Sequence, residues 1–191
     1  VESADQLDML LARATVVGIG PGLGQDRWSR TLFDAVRESS VPLVIDADAL
    51  NLLAQSPFRR TDWVLTPHPG EAARLLDTDT AAIRNDRFAA VIAIQEQYGG
   101  TCLLKGVGTL ISDGNVIAVC PTGNPGMASG GMGDVLTGVI AGLIAQGFDI
   151  GDAARAGAYL HGEAADMAAV GGERGLLATD LLLHLYHLVN P

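Results

Sequence analysis

Apolar residues along this chain gather in short runs that alternate with longer stretches of helical period. Thr15-Val16-Val17-Gly18-Ile19, Pro42-Leu43-Val44-Ile45 and Trp63-Val64-Leu65 are short and almost wholly apolar, the pattern of strands buried on both faces. Each empties into a loop of Gly, Pro or acidic residues, and each loop leads into a helical stretch. These helices are expected over 26–38, over 49–54, from the third loop through Leu76, and over 81–98, where Gly99-Gly100 closes the last. Ahead of them, Ser3 or Asp5 is placed to cap a short helix through Ala12. Beyond Gly100 the pattern changes: 101–104, 108–111 and 116–119 are strand-like, and Ser112-Asp113-Gly114-Asn115 reads as a hairpin turn. A glycine-dense loop over 121–133 then precedes helices expected over 134–146, 150–169 and 179–189. The alternation predicts an α/β fold, with a mostly parallel sheet, helices on both faces and an antiparallel edge. In such sheets ligands bind beyond the carboxyl ends of the strands. No linker, repeat or low-complexity segment divides the 191 residues, so one domain is expected.

Composition narrows the chemistry. The formal net charge of -10 argues against a nucleic-acid footprint or an anionic membrane surface as partner, so any phosphate must be met locally. Eleven of the twelve basic residues are Arg; the one lysine is Lys105. Cys102 and Cys120 lie in apolar runs without CxxC or Cys/His spacing, which reads as free thiols in a reducing cytoplasm. The first residues carry no signal-peptide blocks and no run reaches the ~18 apolar residues of a membrane span, so a soluble, cytoplasmic protein is expected. The 24 glycines are roughly 13% of the chain against ~7% in ordinary proteins, and they cluster.

Gly20-Pro21-Gly22-Leu23-Gly24 joins a strand to a helix without matching G-x-G-x-x-G, because Leu23 or Gln25 falls where the third glycine belongs. It fits a close backbone approach to a ligand and a tight turn equally well. The stronger signal runs from Gly123 to Asp134, with Gly130-Gly131-Met132-Gly133-Asp134 leading into an apolar helix. Glycines at a helix start let free N–H groups converge on one spot, and the helix dipole adds about half a positive charge there. Gly131, Met132 and Gly133 are the candidate anion hole, and Asp134 beside them is the candidate base for an incoming hydroxyl. Lys105-Gly106-Val107-Gly108-Thr109 puts the one lysine at a strand end before two glycines, a weak nucleotide-binding signal that is not a Walker loop. Asp46 and Asp48 read either as Mg²⁺ ligands through water or as helix caps, with capping favoured for Asp48. Two prolines in Thr66-Pro67-His68-Pro69-Gly70-Glu71 stiffen a loop that aims His68 and Glu71 above the sheet; the alternative is a hydrogen-bonded loop histidine and a helix-start acid, with rigidity favouring a functional role. His161 reads as a packing residue, and His184 and His187 have no partner motif.

Taken in order, the 20–24 loop, Asp46-Ala47-Asp48-Ala49-Leu50-Asn51, the 66–71 loop, 105–109 and 124–138 resemble the ribokinase-like fold. Within it they are most similar to the bacterial ADP-dependent NAD(P)H-hydrate dehydratases. The resemblance implies repair of hydrated nicotinamide cofactors: the ring hydroxyl of the S-hydrate is phosphorylated from ADP, phosphate leaves, and NADH or NADPH returns with AMP. It implies Asp134 as base, Gly131, Met132 and Gly133 as anion hole, and Lys105, Gly106, Val107, Gly108, Thr109 and Gly133 as nucleotide contacts. Gly22, Gly24, His68 and Asp134 would contact the hydrated dinucleotide, and Glu71 would act on Mg²⁺ through water. Members are commonly homo-oligomers, often tetramers, and in many bacteria are fused behind an NAD(P)H-hydrate epimerase domain. Family domains carry a further N-terminal segment, and this chain starts at Val1, so 1–191 is expected to be an N-terminally incomplete domain. Competing readings are a vitamin or sugar kinase of the same superfamily and a non-catalytic nucleotide-binding module.

Overall fold

The computed structural model describes residues 4–190. The cap expected at Ser3 lies outside them, and Asp5 falls inside helix α1 (Ala4–Leu11) rather than ahead of it. Strands β1 (Val17–Ile19), β2 (Leu43–Ile45), β3 (Trp63–Leu65) and β4 (Thr101–Leu104) pair in chain order, all parallel. Then β5 (Leu110–Ser112) and β6 (Ile117–Val119) turn back to give the expected antiparallel edge.

Right-handed crossovers that always step the same way put all their helices on one face of the sheet. There Phe33 and Val36 of α2 (Arg27–Glu38), Leu50 and Leu53 of α3 (Ala47–Gln55), and Ile94 and Tyr98 of α6 (Arg87–Tyr98) pack on Leu43, Ile45, Leu65 and Leu104. The alternate strand residues Val44, Val64, Leu103 and Ile111 point the other way, onto α7 (Met132–Ala145) and α8 (Ile150–Ala168). Period two therefore serves two cores, and the strand side chains Leu43, Ile45, Trp63 and Leu65 are wholly buried, each stabilising by roughly 1.5–3 kcal/mol. A smaller cluster seats α9 (Leu181–Leu188) against Ala164, Ala165 and Met132. Cys102 and Cys120 are both buried and free, and burial pushes the Cys102 thiol pKa up. Among the described residues no helix is long and apolar enough to cross a membrane.

The expected helix over 81–98 is two helices, α5 (Thr80–Asn85) and α6, which follow α4 (Pro69–Leu75). Asp86 leaves the helical conformation at φ -142° and ψ 86°, and its carboxylate accepts the Ala89 N–H at 2.9 Å. Apolar period alone runs through this point; the cap chemistry of Asp86 overrides it. Helix α3 begins at Ala47 and α7 at Met132, each two residues before the expected start. The strand expected over 108–111 starts at Leu110, and the last helix is preceded by a 3₁₀ turn at Ala178–Asp180.

Asp86→Ala is expected to cost about 1 kcal/mol, a fall of about 2–4 °C in Tm for a chain of this size, with Asp86→Asn close to wild type in thermal unfolding.

Candidate active site

The loop after β1 is fitted to the end of β2. A Cβ on Gly20 (φ +131°) would overlap the backbone carbonyl of Asp46, so only glycine lets the two segments touch. Gly22 faces open space, with no heavy atom within 4 Å of where its Cβ would stand. Asp48 holds the loop from below: its Oδ2 accepts the Gly24 N–H at 2.9 Å and its Oδ1 the Gln25 amide at 3.3 Å. Capping was the favoured reading for Asp48, and the structure corrects it, because the carboxylate anchors the glycine loop instead. Asp46 occupies the N-cap position of α3, yet its side chain makes no cap bond.

Asp46 is instead a buried carboxylate, 2% exposed, with Lys105 Nζ 2.7 Å from Oδ1 and Thr137 Oγ1 donating to Oδ2 at 3.3 Å. Gly133 closes over this pair: an added Cβ would stand 3.1 Å from Asp46 Oδ2 and 3.4 Å from Lys105 Nζ. The chain's one lysine thus lies directly beneath the start of α7. There Gly131 is the N-cap in the left-handed conformation (φ 86°), followed by Met132, Gly133 and Asp134 in the first turn. The Val135 N–H is the first to bond back, to Gly131 O at 3.1 Å, which leaves the N–H groups of Met132, Gly133 and Asp134 without helix acceptors. Such a helix end, with a cation below it, attracts anions.

Asp134 is exposed, and its carboxylate makes no hydrogen bond or ion pair to the described residues. It lines a cleft of about 580 Å³ whose other wall is Gly20, Pro21, Gly22 and Trp28. The structure therefore brings Gly22 and Asp134 to one cavity. Gly24 lies beside it, on the same loop, with its N–H committed to Asp48.

His68 and Glu71 form a capping box at the start of α4. His68 Nδ1 accepts the N–H groups of Gly70 and Glu71, while Glu71 Oε2 accepts the His68 N–H at 2.8 Å. The same Oε2 lies 3.9 Å from Lys105 Nζ, and the Lys105 N–H bonds to Pro67 O at 2.8 Å, so this loop and 105–109 are adjacent. In the 105–109 loop Thr109 Oγ1 bridges the carbonyl and N–H of Gly106 at 3.0 and 3.3 Å, leaving Val107 at the tip. No group of three or more His, Cys, Asp or Glu among the described residues is arranged to hold a metal ion.

A family model described as NAD(P)H-hydrate dehydratase matches residues 2–186. The chain belongs to the NAD(P)H-hydrate dehydratase family. It is 58% identical over its whole length to the bifunctional NAD(P)H-hydrate repair enzyme Nnr of Coxiella burnetii, of which it covers 40%. It is 42% identical to the ADP-dependent (S)-NAD(P)H-hydrate dehydratase of Neisseria meningitidis, over 93% of this chain and 64% of that protein. The ADP/ATP-dependent NAD(P)H-hydrate dehydratase of Bacillus subtilis, co-crystallised with ATP and Mg²⁺, superposes with a TM-score of 0.81 at 30% identity, over 94% of this chain and 68% of that one. Hydroxyethylthiazole kinase of Pyrococcus horikoshii shares the fold alone, at 17% identity and a TM-score of 0.80. The ribokinase-like α/β architecture expected from the sequence is borne out.

Several residues at this dehydratase-family site are not singled out by sequence reasoning. Trp28 is half exposed on the cleft wall, Thr137 binds Asp46, and Asp166 accepts from Gly123 N–H at 2.8 Å and Asn124 Nδ2 at 2.9 Å to steady the glycine-rich loop. An aromatic in the first turn after a glycine loop was the one available signal for Trp28; the others depend on contacts between distant residues. His161, expected to pack, is buried on α8 with Nε2 unpartnered. Burial pushes its pKa down from 6.5 to about 4, opposed by a bond to the Met132 backbone and reinforced by the Lys105 charge.

Because the unfolded chain takes this proton at about pH 6.5 and the folded one only near 4, stability is whole above that window, falls as pH drops through it, and levels off below it. The full loss is about 3 kcal/mol. Urea unfolding at about pH 7 and about pH 4.5 is expected to show a smaller difference for His161→Gln than for wild type.

Proposed function

We propose that this chain carries the ADP-dependent dehydration of the S-epimer of NAD(P)H hydrate, returning NADH or NADPH with AMP and phosphate. The observation that carries the reading is the uncommitted Asp134 carboxylate, set among unpaired N–H groups at the start of α7 and facing the glycine loop across the cleft. Family membership and the names of the relatives support it.

In this mechanism Asp134 accepts the proton of the ring hydroxyl as its oxygen bonds to the β-phosphorus of ADP and the bond to the AMP oxygen breaks. The N–H groups of Met132 and Gly133, with Lys105 beneath them, hold the transferring phosphoryl oxygens. The ring nitrogen's electron pair then expels phosphate, and loss of a proton from the neighbouring ring carbon restores the double bond. Lys105, Gly106, Val107, Gly108 and Thr109 hold the nucleotide, and Gly22, Gly24 and His68 the dinucleotide. Mg²⁺ would neutralise the phosphates of ADP. Glu71, buried beside Lys105, suits an ion that arrives on a nucleotide with most of its waters and needs only one carboxylate nearby. The bifunctional relatives support a larger parent protein, and we extend the proposal to an epimerase partner domain and a homo-oligomeric assembly.

The full-length protein mixed with NADH hydrate, ADP and Mg²⁺ is expected to restore the absorbance of reduced nicotinamide; no return would overturn the reading. Asp134→Asn is expected to lower kcat by about 10²–10⁴ while ADP binding, measured by calorimetry, changes little.

A further inference from the structure

Arg87 is the first residue of α6, and it stands there because Asp86 breaks the preceding stretch into two helices. Its guanidinium passes under the 105–109 loop and donates to three carbonyls: Nη1 to Val107 O at 2.5 Å, and Nη2 to Leu104 O at 3.3 Å and Gly108 O at 3.1 Å. A Cβ on Gly106 (φ +147°) would stand 3.1 Å from Nη2, so loop and guanidinium are in close contact. Among the described residues no carboxylate lies within ion-pair range of Arg87, and its Nε is buried without a partner.

A planar fork of donors fixed on the last carbonyl of β4 and two carbonyls of the loop after it sets that loop's shape. Thr109 already closes the turn at Gly106, so the arginine adds orientation rather than closure. With Leu104, Val107 and Gly108 carbonyls drawn to the arginine, the Val107 side chain is thrust outward and is 97% exposed. An exposed apolar tip held from behind offers an apolar contact to a purine base, and the unneutralised guanidinium adds positive charge behind a loop that would receive an anionic nucleotide.

We propose that Arg87 is a positioning residue for the nucleotide: it acts through the 105–109 loop and presents Val107 and the glycine backbone to the nucleoside of ADP. This rests on the ADP reading above. Calorimetric titration of the full-length protein with ADP and, separately, with NADP⁺ tests it. Arg87→Met is expected to weaken ADP by about tenfold or more, with Arg87→Lys in between because it keeps the charge but loses the fork. NADP⁺ affinity, and kcat at saturating ADP, should stay within about twofold of wild type. Wild type that binds no ADP would overturn the ADP reading and this one with it. Wild type that binds ADP while Arg87→Met binds it equally well would overturn this proposal alone. Weakening of both ligands together with a lowered Tm would also overturn it, assigning Arg87 to stability.

Discussion

Lys105 and Asp46 form an ion pair that joins the end of β4 to the end of β2, with the start of α7 seated on top. Asp46 is nearly inaccessible, and a carboxylate in that position is tolerated only with a countercharge and further hydrogen bonds. Lys105 supplies the first and Thr137, one turn into α7, the second. Removing Lys105 would leave this buried acid uncompensated, which typically costs roughly 3–5 kcal/mol. The same pair favours glycine at position 133, where an added Cβ would stand tight against Asp46 Oδ2 at 3.1 Å. The electrostatic need of one buried acid therefore decides where the unpaired N–H groups of α7 lie, and puts an ammonium under them.

Carboxylates around the cleft divide by what the fold asks of them. Asp48 and Asp166 each hold a glycine-rich loop through its backbone, Glu71 closes a capping box, and Asp46 answers Lys105. Asp134 alone among these is unused by the fold, although as an acid in the first turn of α7 it stabilises the helix dipole modestly. A carboxylate that packing has not claimed is free to exchange a proton with a ligand, and this one faces a cavity.

Much of the architecture was legible because strands buried on both faces read as bare apolar runs and the hairpin carries its own turn residues. The glycine clusters marked the ligand-facing loops for a related reason: 20, 106 and 131 adopt conformations with positive φ that other residues rarely take. What escaped were features that depend on long-range partners. Asp48 resembles any first-turn acid until Gly24 is seen beside it, and the Lys105 contact to Asp46 spans 59 positions of sequence. The break at Asp86 was missed because Ile83, Ala90, Val91 and Ile94 keep helical spacing across it. There the buried face of the helix outlasts its backbone continuity.

The two cores also differ in when they are completed as the chain is made. Helices α2 to α6 are interleaved with the strands they cover, so the first face is sealed as each strand joins the sheet. Within this chain the second face is covered by residues 132–168, so Val44, Val64, Leu103 and Ile111 lack that cover until those residues emerge from the ribosome. An apolar sheet face that waits for its cover is prone to self-association. The segment that supplies this cover is the one that begins at the anion-attracting end of α7, so closure of the second core and placement of that helix start arrive in the same folding step.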